Sequence, residues 1–461
     1  MEIKKSIFKA YDIRGIYDKE LSVEIVELII NALCSIYKEG NNKVIIGRDG
    51  RLSSFALSKA VENQFLKCNR NVINIGMVPT PLTYFATEHL KLNSCIMITG
   101  SHNPKNYNGL KIIMNGHALA GKEIEDIYDE ILCNKFSKVE YINSNSKKIN
   151  IENQYIEKIQ ENIKIKKKIR VAVDGGNGVA GPLAIKVYKK LGIDVEDLYC
   201  DVDGNFPNHS PNPSDPNNLK DLIFHVKKNK CDLGLAFDGD GDRCLIIDNN
   251  GNIQWPDKQM MLYSKSILRN RKNSKIVYDI KSTKNLDSFI KKYGGQPILS
   301  RTGHSFIKKR MKDENAVLGG EMSGHIFFKD KWYGFDDGIY TGARMIELLS
   351  NEAISSSELF NKLPQSFFTP EININVYKDG IQHDFMKKFS KKANFPGAKI
   401  VKIDGLRADY ENGWGLIRAS NTTSCLVMRF EAETEEQLIV IKKNFIKEIL
   451  KIDSTLEIPD G

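Results

Sequence analysis

The feature that most narrows the folds open to this chain is a unit of short apolar runs alternating with helical stretches, met three times in succession. In the first round, Ile25, Leu28, Ile29, Ala32, Leu33 and Ile36 recur at helical spacing and lead into KVIIG (43–47). A helical stretch over 54–68, the strand-like NVINIGMV, a helix opened by Pro81, and SCIMITG ending near Gly100 follow. A polar loop and LKIIM then predict a hairpin. The second round reads IRVAVDGGNGVAG, a helix to Leu191, a strand near Val195, a helix over 217–229, and CDLGLAF ending at Asp238. The third reads KIVYDI, a helix from Thr283, QPILS, a helix from Ser305, and AVLGGE ending at Glu321. Strands separated by helices of these lengths predict crossover units and largely parallel sheets. Beyond about Pro364 the text becomes strand-rich and ends in a helix over 434–451.

The expectation is an α/β protein: three similar α/β domains with mixed sheets, plus a smaller C-terminal α+β domain, around a central cleft. At 461 residues several cores are needed. The expected domains are 1–150, 151–254, 255–366 and 367–461.

The three last strands of these rounds open into the most unusual loops of the chain, TGSHNP, DGDGDR and GEMSGH. Ligands of α/β sheets gather beyond the carboxyl ends of strands, so the three loops are expected to share one cleft. Asp238, Asp240 and Asp242 alternate with Gly239 and Gly241. Three carboxylates this close repel one another unless a cation neutralises them, and oxygen-only ligands select a hard one. A calcium EF-hand needs Gly at the sixth loop position and Glu at the twelfth, where this chain has Arg243 and Asn249, so magnesium is favoured.

Ser101 sits in a Gly- and Pro-bounded turn at a strand end, a position that suits a nucleophile; His102, as its neighbour, is poorly placed to be its base. A phosphorylated serine beside magnesium would explain both motifs, because phosphoryl transfer needs chiefly positioning and charge neutralisation. Lys111 and His304 are candidates to pass protons to and from sugar hydroxyls. RASNTTS (418–424) offers one guanidinium and several hydroxyl and amide groups, a phosphate cradle. GGNG (175–178) lacks a following GK[ST] and reads as a strand-to-helix turn.

Composition removes other classes. Lys and Arg number 67 against 58 Asp and Glu, a net charge of +9 spread over a large surface. The basic runs Lys164 to Arg170 and Lys387-Lys388 lack interleaved aromatics and read as solvated helix faces, so no nucleic-acid partner is expected. Eight scattered cysteines without a CxxC pair suggest neither zinc nor a redox dithiol, and most should be buried thiols. No run approaches the roughly 18 apolar residues of a membrane span, and the N-terminus lacks an apolar leader, so no membrane association and a cytoplasmic location are expected.

Taken together, AYDIRG (10–15), TGSHNP (99–104), FDGDGDR (237–243), GEMSGH (320–325) and RASNTT (418–423) resemble the α-D-phosphohexomutases. GEMSGH is similar to the bacterial phosphomannomutase/phosphoglucomutase branch. The resemblance implies a four-domain enzyme, expected to be a monomer acting on small sugar phosphates, with one loop per domain in the cleft. It implies phosphoserine at Ser101 and one Mg2+ per chain on Asp238, Asp240, Asp242 and a Ser101 phosphate oxygen, with Arg243 holding the phosphoserine. It implies substrate contacts from Tyr11, Arg14, Asn103, Lys281 and His304, and from the sugar loop Glu321, Met322, Ser323, Gly324 and His325, whose Glu321 and Ser323 would grip the 3- and 4-hydroxyls. Arg418, Ala419, Ser420, Asn421 and Thr422 would bind the phosphate that is not reacting. The implied reaction runs through a hexose 1,6-bisphosphate that turns over in the cleft and also serves as activator.

Ser424 stands where that branch usually has proline after TT. The nearest rival, phosphoglucosamine mutase, usually carries GEQSGH-like and RPSGTEP-like loops, against which Met322 and RASNTTS argue. A magnesium-dependent sugar phosphatase or a non-catalytic sugar-phosphate sensor would not require Ser101.

Overall fold

The computed structural model describes residues 3–38, 42–133, 144–376, 380–420 and 423–459. Four sheets organise them. The first holds β1 (Ile13–Ile16), β2 (Lys43–Arg48), β3 (Asn71–Met77), β4 (Cys95–Ile98), β5 (Tyr107–Met114), β6 (His117–Ala118) and β7 (Ser146–Lys148), in the order β1-β5-β4-β2-β3-β7 with β6 on β5. The second holds β8 (Arg170–Asp174), β9 (Asp194–Leu198), β10 (Leu233–Phe237), β11 (Cys244–Asp248) and β12 (Ile253–Gln254), in the order β12-β11-β10-β8-β9. The third holds β13 (Lys275–Asp279), β14 (Gln296–Ser300), β15 (Leu318–Gly320) and β16 (Ile326–Phe328), in the order β14-β13-β15-β16.

One topology underlies all three. The first crossover strand (β2, β8, β13) lies between the second (β3, β9, β14) and the third (β4, β10, β15), all parallel. The third strand then pairs antiparallel with the next (β5, β11, β16). The loop inside that last pair is the Ser101, the triple-aspartate and the Glu321 loop respectively, so equivalent positions of three units face one place.

The apolar runs form strands because helices cover both faces; every residue of β4 and of β10 is buried. Helix Val23–Ile36 buries Ile25, Val26, Ile29, Ile30 and Leu33, and Ser22 Oγ accepts the amide of Ile25 to start it. Each such side chain contributes about 1.5–3 kcal/mol by burial.

The fourth sheet is antiparallel: β17 (Phe367–Phe368), β18 (Ile372–Asn375), β19 (Lys399–Val401), β20 (Leu406–Tyr410), β21 (Gly413–Ala419) and β22 (Cys425–Ala432), in the order β17-β22-β21-β20-β19 with β18 also on β22. Helix Glu435–Ile452, started by a Thr434/Gln437 capping box, buries Phe445 and Ile449 in its core.

The first three units share one apolar core in which Phe85, Tyr155, Trp332 and Tyr340 meet. The fourth joins them through a small apolar contact of Ile280 with Trp414 and Leu416, and otherwise through polar groups. Arg407 Nη1 donates to the carbonyls of Ile280 and Ser282 at 2.6 and 2.9 Å, Lys284 Nζ to that of Tyr410 at 2.7 Å, and Thr302 N to Asp404 Oδ2 at 3.1 Å.

One reading is corrected. Residues 164–169 of the first basic run lie outside any helix, and Arg170 starts β8, because the run connects Glu152–Asn162 to a buried strand. Lys387-Lys388 does lie on a helix, Ile381–Lys392, and is exposed. Helices Lys122–Cys133, Glu152–Asn162, Pro256–Leu268 and Gly338–Ser350 were not singled out by the sequence reading.

Candidate active site

Ser101 is held before any ligand is considered. Its backbone sits at φ 47°, in the left-handed region that L side chains rarely adopt, and the residue is 1 % exposed. Asp49, just past β2, explains how the turn is kept. Its Oδ2 accepts from Thr99 Oγ1 at 2.8 Å and from Gly100 N at 3.1 Å, and Thr99 Oγ1 in turn accepts from Ser101 N at 2.8 Å. Arg51 then staples the loop: its guanidinium donates to the carbonyls of Ser101 (2.7 Å), Asn103 (2.6 Å), Pro104 (2.6 Å) and Tyr107 (3.1 Å). A Cβ on Gly100 would lie 2.5 Å from Arg51 Nε, so glycine is required for this approach. Neither Asp49 nor Arg51 was read from sequence; the signal available was RDGR directly after a strand.

Ser101 Oγ donates to Asp238 Oδ2 at 3.0 Å, across 137 positions of chain. Gly239 makes the two loops meet, since a Cβ there would lie 2.5 Å from the Ser101 carbonyl oxygen. His102 Nδ1 also reaches Ser101 Oγ, at 3.3 Å, which corrects the expectation that adjacency keeps it away. Burial and the nearby Arg243 and Arg14 push the His102 imidazole well below its usual range, so it is neutral.

Asp238, Asp240 and Asp242 are fully buried and bring carboxylate oxygens within 4.8 Å of one another. Burial and the other two aspartates push Asp238 well above the carboxylate range. Burial acts the same way on Asp240, but the Lys111 ammonium, with hydrogen bonds from Lys111 and Thr80, outweighs it and lowers that pKa. Lys111 Nζ binds Oδ2 of both Asp240 and Asp242, and these carboxylates hold it as a cation against its own burial. Oδ1 of Asp240 and Oδ1 of Asp242 are buried without a hydrogen-bond partner. Oxygen-only donors, surplus negative charge and free inward lone pairs fit a hard divalent cation such as Mg2+. The triad is thus an acidic metal-binding site.

The third loop is tied to the second. Arg243 and His325 form an isolated bridge, and Arg243 Nε donates to His325 Nε2 at 3.0 Å. His325 Nδ1 lies 3.0 Å from Asp336 Oδ2 and 3.5 Å from Asp242 Oδ1. Asp336, fully buried, was not read from sequence; its only trace was the FDDG acidic pair. Glu321 accepts from Gly303 N and, on its other oxygen, from Ser323 Oγ at 3.2 Å. Gly324 turns this loop at φ 100°.

A cleft of about 580 Å3 joins these groups. Of the candidates, Tyr11, Arg14, Ser101, Lys111, Arg243, Lys281, His304, Glu321, Met322, Ser323, His325, Arg418 and Ser420 line it. Asn103 stands behind, accepting from Arg14 Nη1, and Ala419 lies within β21. Asn421 and Thr422 lie outside the described residues. His304 packs edge-on to Tyr11 with ring centroids 4.8 Å apart; both its ring nitrogens lack hydrogen-bond partners among the described residues, and burial and Lys308 hold it well below its usual range, so it is neutral. Burial, with Asp12 and Glu321, pushes the Tyr11 phenol up to about 12. Arg418 Nε donates to Asp404 at 2.9 Å, and Lys281 Nζ to Glu371 at 2.6 Å. Arg429 and Glu371 line the cleft as well and were missed.

Family models match the chain in order: phosphoglucomutase/phosphomannomutase alpha/beta/alpha domain I over residues 5–138, domain II over 153–251, domain III over 255–367, and the C-terminal domain over 371–448. The chain belongs to the phosphoglucomutase/phosphomannomutase family. A phosphomannomutase/phosphoglucomutase of Pseudomonas aeruginosa is 45 % identical over 98 % of this chain and 97 % of its own length. A phosphoglucomutase of Neisseria meningitidis is 45 % identical over 96 % of each chain. The crystal structure of a phosphoglucomutase/phosphomannomutase family protein from Burkholderia thailandensis superposes with a TM-score of 0.92 at 40 % identity, covering 99 % of this chain and all of that one. As a member of this family the chain is a phosphohexomutase, an isomerase of the bacterial α-D-phosphohexomutase type. No helix among the described residues is long and apolar enough to cross a membrane.

Proposed function

We propose that this chain interconverts hexose 1-phosphates and hexose 6-phosphates of mannose, glucose or both, through a phosphoserine at Ser101 and a hexose 1,6-bisphosphate, as a monomeric cytoplasmic enzyme. The observation that carries the reading is the 3.0 Å contact of the Ser101 hydroxyl with an aspartate of the metal triad. Asp238, Asp240 and Asp242 would hold one Mg2+ per chain, which would supply positive charge to offset negative charge on the transferring phosphoryl group. The remaining work falls to side chains.

A sugar hydroxyl attacks the Ser101 phosphorus; the new oxygen–phosphorus bond forms as the Ser101 Oγ–phosphorus bond breaks, and the hydroxyl proton passes to a base. Lys111 does not accept it, because two carboxylates hold it as an ammonium; it stabilises charge beside the serine instead. Both His304 and His325 face the cleft, with ring centroids 5.5 Å apart. His325 takes the proton at Nε2 once the Arg243 N–H that donates there turns to the phosphoserine, with its Nδ1 side held against Asp336. His304 stays neutral against Tyr11 and serves the sugar phosphate. Glu321 and Ser323 hold the sugar, and Arg418, Ser420 and Lys281 the distal phosphate. Contacts to the 3- and 4-hydroxyls do not distinguish glucose from mannose, which differ at C2. After the bisphosphate turns over, its other phosphate returns to Ser101, regenerating the donor.

Purified protein primed with the matching bisphosphate should convert mannose 1-phosphate and glucose 1-phosphate, and glucosamine 1-phosphate far more slowly. Preferred turnover of glucosamine 1-phosphate, or stoichiometric release of inorganic phosphate, would overturn the reading.

A further inference from the structure

The triple-aspartate group is one of two places, among the described residues, where buried metal-ligating atoms converge. Asp242, His325 and Asp336 also bring one carboxylate oxygen, one imidazole nitrogen and a second carboxylate oxygen within 4.8 Å of one another. Asp242 comes from the metal loop of the second unit; His325 and Asp336 come from the third, on either side of β16. Each carboxylate gives one oxygen to a lysine: Asp242 Oδ2 accepts from Lys111 Nζ, and Asp336 Oδ1 from Lys308 Nζ at 3.1 Å. The remaining oxygens, Asp242 Oδ1 and Asp336 Oδ2, lie 3.5 and 3.0 Å from His325 Nδ1. Both aspartates are fully buried and His325 is 3 % exposed, yet none of the three atoms has an aligned hydrogen-bond partner among the described residues. Buried polar atoms that crowd without hydrogen bonds are costly, and one cation between them would satisfy all three.

Spacing and donor type both bear on which cation. Bonds of roughly 2.0–2.1 Å from a tetrahedral zinc place its ligand atoms about 3.4 Å apart, close to the separations found here. His304 Nδ1, likewise without a hydrogen-bond partner among the described residues, lies 3.9 Å from the same Asp336 oxygen and offers a second nitrogen. Nitrogen beside oxygen suits Zn2+, whereas Mg2+ takes oxygen ligands. The oxygen-only triad next to it has the opposite preference.

We propose that Asp242, His325 and Asp336, with His304 as fourth donor, form a zinc site beside the magnesium triad, sharing Asp242 with it, and that zinc bound there stops turnover. The effect on turnover rests on His325 as the base proposed above; the site itself does not. Zinc takes the lone pair of His325 Nδ1, so the one ring proton lies on Nε2 and neither nitrogen can accept a proton from a sugar hydroxyl. Arg243, which donates to that Nε2, turns away to make room for the proton. His325 and His304 line the cleft, which gives the ion its path to the two carboxylates.

Crystals of the full-length protein grown with saturating Mg2+ are soaked in Zn2+, and anomalous scattering on either side of the zinc edge locates the ion. Equilibrium dialysis against excess Mg2+ counts it. One zinc should remain per chain, with its peak in bonding distance of Asp242, His325 and Asp336. Turnover should fall about 100-fold, the share of a general base, and should not recover as Mg2+ is raised. Asp336→Asn should weaken this zinc at least about 10-fold and still bind Mg2+, whereas Asp240→Asn should weaken Mg2+ and keep the zinc. A peak among the three aspartates alone, zinc displaced by Mg2+, or wild-type zinc affinity in Asp336→Asn overturns the site. Zinc on His325 with turnover unchanged overturns the inhibition, and with it the role of His325 as base.

Discussion

Ser101 is kept in an unfavourable backbone region by a neighbour fifty positions upstream, so its placement depends on Arg51 rather than on its own turn sequence. Lysine cannot donate to four carbonyls spread around one planar fork. Arg51→Lys should therefore shift the serine and lower kcat about 100-fold, the scale of a displacement near 1 Å, with KM changed only a few-fold; steady-state kinetics showing wild-type kcat would contradict this. Asp336 acts through another residue. With Asp336→Asn the ring of His325 loses its carboxylate partner while the cavity shape is kept, and kcat should fall about 10- to 100-fold with KM nearly unchanged. A rise in KM alone would instead mark Asp336 as part of sugar binding.

At the scale of elements, function depends on how closely strand-end loops approach. Gly239→Ala would press a methyl against the Ser101 carbonyl. It should weaken Mg2+ binding and cut kcat at least about 10-fold, read by metal titration and turnover. Asp337 starts helix Gly338–Ser350 by accepting the amide of Tyr340 at 2.9 Å, and it also accepts from the Tyr155 hydroxyl. Burial pushes its carboxyl up to about 7. The folded state then keeps a proton that the unfolded chain loses near pH 4, so stability from this group is present below pH 4 and is lost as pH rises to about 7. The slope is at most about 1.4 kcal/mol per pH unit. Urea midpoints of Asp337→Asn should lack this decline relative to wild type between about pH 4 and 7; parallel profiles would refute it. The repeated units were legible because buried parallel strands read as apolar runs, and the loops because their residues are chemically unusual. Asp49, Arg51 and Asp336 were not, since each gains its role only when distant strand ends come together. The non-helical path of residues 164–169 follows from what they connect, not from their composition.

Across the whole molecule, one apolar core unites the three units that supply the serine, the metal site and the sugar loop. The unit carrying Arg418 is joined chiefly by polar contacts such as those of Arg407 and Thr302, which water can replace. Catalytic groups are thus fixed relative to one another, and the phosphate cradle borders them across a more exchangeable seam. The account stands on Ser101 as the atom that carries phosphate between sugar positions. Rapid-quench transfer from enzyme labelled with radioactive phosphate to excess unlabelled glucose 1-phosphate tests this directly. The label should leave Ser101 within one turnover and appear in sugar bisphosphate and then in glucose 6-phosphate, and Ser101→Ala should take up none. Label that remains on the protein through many turnovers, or that emerges as inorganic phosphate, would contradict it.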